Sequence, residues 1–112
     1  MSQIKTTQVK TTDIKTLNEW LSSGTAVLID VREPEEFQAG RIEEAKNIPL
    51  GLIKLEDILL PEYKNKKIVM QCKSGVRSHL ACQKMLEKNG DVVVYNLEGG
   101  IVAWLEAGLP VL

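Results

Sequence analysis

Three stretches of the chain are almost continuously apolar, and they predict the central strands at residues 26–29, 68–71 and 92–95. Runs without alternating polar positions are typical of strands that are covered on both faces of a parallel sheet. Two weaker segments predict further strands. Residues 4–10 are Thr-rich and β-branched, which favours an edge strand, and residues 45–49 form a short strand that Pro49 closes.

Between the strands, apolar residues recur at helical spacing. This pattern predicts helices over residues 14–21, 50–60, 78–89 and 101–107, and a short helix that Pro34 starts and Gly40 ends. Strand and helix alternate along the whole chain, which predicts a parallel α/β sheet with helices on both faces. In such sheets ligands bind beyond the carboxyl ends of the strands, so the loops after residues 30, 71 and 97 form the candidate site.

The composition favours one ordinary domain, which we expect to comprise residues 1–112. Apolar residues make up 44% of the 112 positions, enough for a single core. The net charge of −1 shows no bias toward nucleic acid, and the apolar runs are too short to cross a membrane. Because the first residues lack a signal-peptide pattern, a cytoplasmic protein is the default expectation. Two cysteines at a wide spacing and one histidine offer no convincing metal site.

The strongest chemical signal is Cys72, at the point where a predicted strand passes into a predicted helix. The N-terminus of that helix, the cations Lys73 and Arg77, and the successive backbone N–H groups of residues 73–78 would all lower the pKa of the thiol. Gly75 allows the tight curvature that such a loop needs. We therefore expect a thiolate at neutral pH, in a loop that can hold an anion. The candidate binding residues of this loop are Lys73, Ser74, Gly75, Val76 and Arg77.

The spacing between Cys72 and Arg77 separates two chemistries. A phosphate-binding loop of the cysteine-phosphatase type has five residues between its cysteine and its arginine, whereas residues 73–76 provide only four. The tighter ring suits one terminal sulfur atom better than a tetrahedral oxyanion. A cysteine phosphatase or an arsenate reductase on the same fold is therefore the disfavoured alternative.

In several motifs the chain resembles the single-domain rhodaneses, and the motifs occur in the family's order and spacing. Two positions depart from the pattern, because the family often has histidine where Arg41 stands and glycine where Glu44 stands. The matching motifs are residues 28–33, 36–37, 40–42, 45–49, 72–78 and 97–104.

The resemblance implies a sulfurtransferase with a five-stranded, three-layer α/β/α fold and no cofactor. Cys72 would take a sulfane sulfur from thiosulfate or a persulfide, and pass it as a Cys72 persulfide to cyanide, a cellular thiol or a protein acceptor. The backbone N–H groups of residues 73–77 would hold the outer sulfur, and Lys73 and Arg77 would favour an anionic donor. A rhodanese-like binding or carrier module with little turnover is the alternative that keeps the same cysteine.

Several other residues have competing interpretations. Arg77 either contacts the substrate or forms an ion pair, for which Asp30 is the candidate partner at a neighbouring strand end. Asp30 and Arg32 are candidate supporting residues, although a structural role is the simpler interpretation of Arg32. Cys82 is expected in the core rather than as a resolving thiol. The glutamates at positions 33, 35 and 36 are expected to complement the dipole of their short helix.

Overall fold

Five short strands pair in parallel to form one sheet in the computed structural model of the protein, which describes residues 9–112. The strands are β1 (Lys10–Thr12), β2 (Ala26–Asp30), β3 (Lys46–Asn47), β4 (Lys67–Gln71) and β5 (Val94–Leu97), and the helices are α1 (Ile14–Ser22), α2 (Pro34–Ala39), α3 (Val76–Lys88) and α4 (Gly100–Glu106). The order across the sheet is β1-β5-β4-β2-β3, and every pairing is parallel, so the predicted α/β fold is confirmed. None of the helices in residues 9–112 is long and apolar enough to span a membrane.

The side chains of the central strands pack into two hydrophobic clusters, one on each face of the sheet. Because successive strand residues point to opposite faces, β2 and β4 contribute to both clusters. Helix α3 covers one face, and α1 and α4 cover the other. The first cluster includes Val27, Ile29, Met70, Ala81, Cys82 and Met85, and the second includes Leu17, Leu28, Val69, Leu97, Ile101 and Trp104.

Most predicted elements are present within one or two residues of their predicted ends. Asp13 begins α1, where its Oδ1 accepts a hydrogen bond of 2.8 Å from the Thr16 N–H. Helix α3 begins two residues earlier than predicted, because Gly75 is its N-cap, with a φ of +113°. The predicted edge strand at residues 4–10 lies almost entirely outside the described residues. Near that segment the structure describes the edge strand β1, which pairs with β5, and β3 forms the opposite edge.

The strand predicted at residues 92–95 is displaced by two residues toward the C-terminus. The Val92 N–H bonds to the carbonyl of Asn89 in a turn, and Val93 is 52% exposed. The strand β5 begins at Val94, opposite Ile68, and Asn96 lies opposite Met70. An apolar run locates a strand but not its register, which the hydrogen bonds to the neighbouring strand decide. As a result, a polar residue, Asn96, lies inside the sheet near its carboxyl edge.

The predicted helix over residues 50–60 is wrong. A turn is followed by two short 3-10 helices, Leu55–Ile58 and Pro61–Tyr63, so Pro61 starts a helical turn instead of ending a longer helix. The N–H groups of Leu52 and Ile53 both bond to the carbonyl of Pro49, and this tight turn replaces the first turn of an α-helix. The helical spacing predicted a buried stripe of Leu52, Leu55, Ile58 and Leu59. Burial differs from it, because Ile53 is fully buried whereas Leu52 is 68% exposed.

This burial difference predicts opposite outcomes for two adjacent substitutions. Ile53→Ala removes a fully buried side chain, and we expect it to lower the free energy of unfolding by about 2–5 kcal/mol. Leu52→Ala truncates an exposed side chain, and we expect a change within about 0.5 kcal/mol. Urea denaturation of the two variants measures both values. Equal losses, or a larger loss for Leu52→Ala, would contradict this packing of residues 50–60.

Candidate active site

Cys72 directly follows the central strand β4 and lies at the carboxyl edge of the sheet. Only three residues, 73–75, separate it from α3, so the chain must turn sharply around its side chain. Cys72 is 1% exposed, and both backbone and side-chain donors contact its Sγ. The N–H of Gly75 lies 3.1 Å from the sulfur, and the hydroxyl of Ser78 lies 3.3 Å from it.

The first turn of α4 forms backbone hydrogen bonds with the cysteine loop. The N–H groups of Ile101 and Val102 donate to the carbonyls of Cys72 and Lys73, at 2.9 and 3.1 Å. The loop approaches so closely that a Cβ on Gly100 would lie 2.4–2.5 Å from these carbonyl groups. Since the carbonyl groups are engaged with α4, the backbone N–H groups of the loop are free to face the sulfur.

The hydrogen bonds at Cys72 outweigh its burial. Burial raises the pKa of the thiol, but the bonds from the Ser78 hydroxyl and from the backbone N–H groups of Ser78, Gly75 and Ser74 lower it, and the net shift is downward from the ordinary value of 9.0. The predicted direction of the shift is therefore confirmed. Its main causes are neutral donors rather than the cations of the loop. That the thiol is ionised at neutral pH stays a prediction.

Two residues of this donor network, Ser78 and Asn96, were not among the predicted site residues. The Ser78 hydroxyl contacts Asn96 Oδ1 as well as the sulfur, and Asn96 Nδ2 donates to the carbonyl of Gly75 at 3.0 Å. Ser78 is fully buried, and Asn96 is 8% exposed. For Asn96 the sequence offers only its place directly after the predicted strand at residues 92–95. The signal for Ser78 is its position in the first turn of the helix that follows the cysteine.

Arg77 does form an ion pair, but the candidate partner Asp30 is wrong, because Arg77 pairs with Glu36. Its guanidinium makes two hydrogen bonds to the Glu36 carboxylate, of 2.7 and 3.0 Å, and these lower the pKa of Glu36 from 4.5 to about 2. Glu36 Oε1 also accepts from the N–H of Glu33 at 3.0 Å. Glu36 therefore caps its own helix, as the dipole interpretation implied, and in addition fastens α2 to the start of α3.

The two candidate supporting residues pair with each other. Arg32 donates to the buried carboxylate of Asp30 at 2.8–3.1 Å, and its Nη2 also donates to the carbonyl of Gly40 at 2.7 Å. Arg32 is only 6% exposed, so its charge is compensated inside the fold. This arrangement favours the structural interpretation of Arg32, which joins the end of β2 to the end of α2.

The remaining loop residues form the rim of the site. Lys73 and Ser74 are exposed, and Val76 is 69% exposed. No ion-pair partner for Lys73 exists among residues 9–112. Since Arg77 and Arg32 are both paired, Lys73 is the loop cation whose charge no described residue compensates.

Cys82 has the opposite character to Cys72. It is fully buried in the cluster beneath α3, and burial alone raises its pKa to about 12. Such a thiol is not a nucleophile at neutral pH, and the expectation of a core cysteine is confirmed. Both cysteines are free thiols. Within residues 9–112, no three His, Cys, Asp or Glu side chains are placed to hold a metal ion.

A cavity of about 360 Å³ adjoins the cysteine loop. Lys73 and Arg32 contribute charge to its wall, and Val102 and Leu105 of α4 contribute apolar surface. A larger cavity, of about 650 Å³, lies between residues 51–56 and the second half of α3, but no residue of the cysteine loop lines it. The smaller cavity is the one relevant to chemistry at Cys72, because Lys73 of the cysteine loop lines it.

Comparison with known proteins identifies a family. The profile of the rhodanese-like domain matches residues 13–107. A curated protein from Allochromatium vinosum, named sulfurtransferase, is 38% identical over 86 residues, which cover 77% of this chain and 78% of that protein. Two other curated relatives are longer, and the matches span 51% and 60% of their length.

Solved structures share the fold. The human single-domain sulfurtransferase TSTD1 is 30% identical, with a TM-score of 0.71 over 88% of this chain and 96% of the human one. The thiosulfate sulfurtransferase from Pseudomonas aeruginosa superposes with a TM-score of 0.82, over 93% of this chain and 20% of that chain. At 21% identity, this second similarity supports the fold alone.

The contact between α4 and the cysteine loop predicts that Gly100→Ala is damaging. Its left-handed backbone, with a φ of +58°, costs alanine about 1–2 kcal/mol, and the overlap with the loop adds about 1–3 kcal/mol. We expect the free energy of unfolding to fall accordingly, and the alkylation rate of Cys72 to fall with it. The matched control is Gly24→Ala, because Gly24 has a φ of +71° with no atom in reach of an added Cβ. Equal losses for both variants would contradict the role of the close contact.

The ion pair of Glu36 predicts a pH-dependent contribution to stability. The pKa of Glu36 is lowered to about 2, so its stabilising effect is fully present above pH 4.5 and is lost as the pH falls through about 2. We expect the difference in thermal midpoint between wild type and Glu36→Gln to shrink over that interval. Glu35→Gln, which neutralises an exposed carboxylate on the same helix, is the control. A difference that stays constant from pH 7 to pH 2 would exclude this linkage.

Proposed function

The chain belongs to the rhodanese-like domain family, and we propose that it is a sulfurtransferase that carries sulfur on Cys72. The observation that carries this proposal is the environment of the Cys72 sulfur. It is buried, contacted by neutral donors and enclosed by a loop of four residues before Arg77. The relative from Allochromatium vinosum that bears the name sulfurtransferase supports sulfur transfer in general.

In the first half-reaction the Cys72 thiolate attacks the outer sulfur of the donor. With thiosulfate, a bond forms between Sγ and the outer sulfur, the sulfur–sulfur bond of thiosulfate breaks, and its electron pair leaves with sulfite. The products are a Cys72 persulfide anion and sulfite, so charge balances without a proton. With a small-molecule persulfide as donor, a thiolate leaves in place of sulfite.

The cysteine loop suits the persulfide anion. The outer sulfur carries the negative charge, and the backbone N–H groups of residues 73–77 are the donors that would stabilise it. One sulfur atom needs a smaller ring than a phosphate group does, and the short spacing from Cys72 to Arg77 supports this assignment over a phosphatase.

Charge at the rim favours an anionic donor. Arg77 and Arg32 are compensated by Glu36 and Asp30, whereas Lys73 has no ion-pair partner in the described part of the chain and lines the adjoining cavity. An unpaired ammonium group beside the entrance attracts an anion such as thiosulfate. Arg77 then acts mainly by holding the start of α3 in place through Glu36.

In the second half-reaction an acceptor removes the outer sulfur. Cyanide or a thiolate attacks it, the bond between the two sulfurs breaks, and the electron pair returns to Sγ as the thiolate. The products are thiocyanate or a new persulfide, and the enzyme is ready for another cycle. A protein that presents a thiol is a further acceptor in this scheme. No step calls for a metal or an organic cofactor.

The test of this proposal is direct observation of the sulfur on the enzyme. We expect incubation with thiosulfate to add one sulfur atom to the intact mass, and cyanide to remove it as thiocyanate. Cys72→Ser should abolish both events, because it removes the attacking sulfur. Cys82→Ser is the matched control and should retain both, because Cys82 is buried and its pKa is raised to about 12.

Other outcomes would identify the alternatives. A wild-type protein that takes up no sulfur from thiosulfate or from glutathione persulfide is not a sulfurtransferase. Uptake of sulfur followed by discharge to a partner protein, but not to cyanide or a small thiol, would indicate a carrier module. Hydrolysis of an aryl phosphate that depends on Cys72 would indicate a phosphatase.

A further inference from the structure

The Ser78 hydroxyl faces two acceptors but has one hydrogen. Its Oγ lies 3.3 Å from Cys72 Sγ and in closer contact with Asn96 Oδ1. A serine hydroxyl donates a single hydrogen bond. The three residues are buried, so water cannot freely supply a second donor.

The orientation of the Asn96 amide makes this competition unavoidable. Its Nδ2 donates to the carbonyl of Gly75 at 3.0 Å, and a carbonyl accepts only, so the nitrogen must occupy that side. The amide oxygen is consequently the atom that faces Ser78. Because an amide oxygen cannot donate, the short contact between Oγ and Oδ1 needs the Ser78 hydrogen.

The number of available hydrogens decides whether the hydrogen bonds among Cys72, Ser78 and Asn96 favour the thiol, the persulfide or the thiolate. With a thiol, the S–H donates to Ser78 Oγ and the hydroxyl donates to Asn96, so every group is satisfied. With a persulfide, Sγ is bonded to the outer sulfur and no longer carries the charge, and the hydroxyl again donates to Asn96. With a free thiolate, two acceptors compete for one hydrogen. If Asn96 takes it, the thiolate keeps only its backbone donors, such as the Gly75 N–H, and if the thiolate takes it, the Asn96 amide oxygen is left unpaired.

We propose that Asn96 is a positioning residue whose Oδ1 accepts the hydrogen bond of the Ser78 hydroxyl whenever Cys72 carries sulfur or a proton. Asn96 thereby disfavours the free thiolate relative to the thiol and to the persulfide. The Ser78 hydroxyl turns toward Sγ during the part of the cycle in which the thiolate is free, and back to Asn96 when sulfur arrives. Asn96 therefore stabilises the loaded enzyme. The part of this inference that concerns loading rests on the proposed function, whereas the part that concerns the thiol does not.

The charged groups around the thiol stay constant when Asn96 is changed. They are Arg77 of α3, Glu36 of α2, the pair of Asp30 and Arg32 after β2, and Lys73 of the loop. Their effects on ionisation cancel when variants of Asn96 are compared. The loss of the bond to the Gly75 carbonyl does not cancel in a single substitution, so the test needs a second background.

A double-mutant cycle isolates the competition. The pH midpoint of Cys72 alkylation by iodoacetamide is measured for wild type, Asn96→Leu, Ser78→Ala and the double variant, with Asn96→Ala as a second choice should the leucine variant not fold. Cys82→Ser serves as the common background, so that one thiol reacts. Asn96→Leu is expected to change the midpoint in each background. We expect this change to be about one pH unit more negative with Ser78 present than in the Ser78→Ala background. Equal changes in both backgrounds, or the opposite sign, would overturn the proposal.

The equilibrium of loading provides an independent readout. At a pH well above the alkylation midpoint and at a set ratio of thiosulfate to sulfite, intact mass gives the ratio of loaded to free enzyme. We expect Asn96→Leu to lower this ratio about tenfold with Ser78 present, matching the midpoint change, and to have a smaller effect in the Ser78→Ala background. An unchanged ratio would refute the stabilisation of the loaded state. If the wild type takes up no sulfur at all, the proposed function fails, and the alkylation cycle still decides the role of Asn96.

Discussion

The hydrogen bonds between the cysteine loop and the first turn of α4 are the constraint on which the site depends. They bind the carbonyls of Cys72 and Lys73, which leaves the opposite side of the loop backbone, with its N–H groups, to surround the sulfur. The contact is possible only because position 100 has no side chain. The end of β5 and the end of β4 must therefore lie side by side before the loop can take its shape, and the parallel sheet guarantees this.

Around this loop, most of the charge is compensated. Arg77 is held by Glu36, and Arg32 by Asp30, so two of the three cations near the cysteine serve mainly to connect elements of the fold. Neutral groups, namely backbone N–H donors and a hydroxyl, are the main causes that lower the pKa of the Cys72 thiol. Neutral donors in a buried site stay in place while charge appears and disappears, and this suits a cycle in which the charge moves from Sγ to the outer sulfur and back.

The two cysteines show how much the donors matter. Cys72 and Cys82 belong to the same hydrophobic cluster, and both are buried. Burial without a donor raises the pKa of Cys82 to about 12, whereas the donors at Cys72 reverse the effect of burial. The polar groups that achieve this must themselves be satisfied, because an unpaired buried polar group is costly. Asn96 forms hydrogen bonds with the Ser78 hydroxyl and the Gly75 carbonyl, so it belongs to the site although it acts on the sulfur through these residues.

The sequence by itself determined the central strands, the helices other than the one predicted at residues 50–60, the parallel α/β fold and the position of the cysteine loop. These features depend on local periodicity and on spacing along the chain, and neighbouring residues are sufficient to encode them. Only the tertiary structure decided the register of β5, the tight turn at residues 50–53 and the partner of Arg77. The physical reason is that each depends on a contact between distant segments or on backbone hydrogen bonds that side-chain periodicity does not encode. Glu36 lies 41 residues from Arg77, and Asn96 lies 18 residues from Ser78, so the cysteine was visible in the sequence whereas the groups that tune it became apparent only in the folded chain.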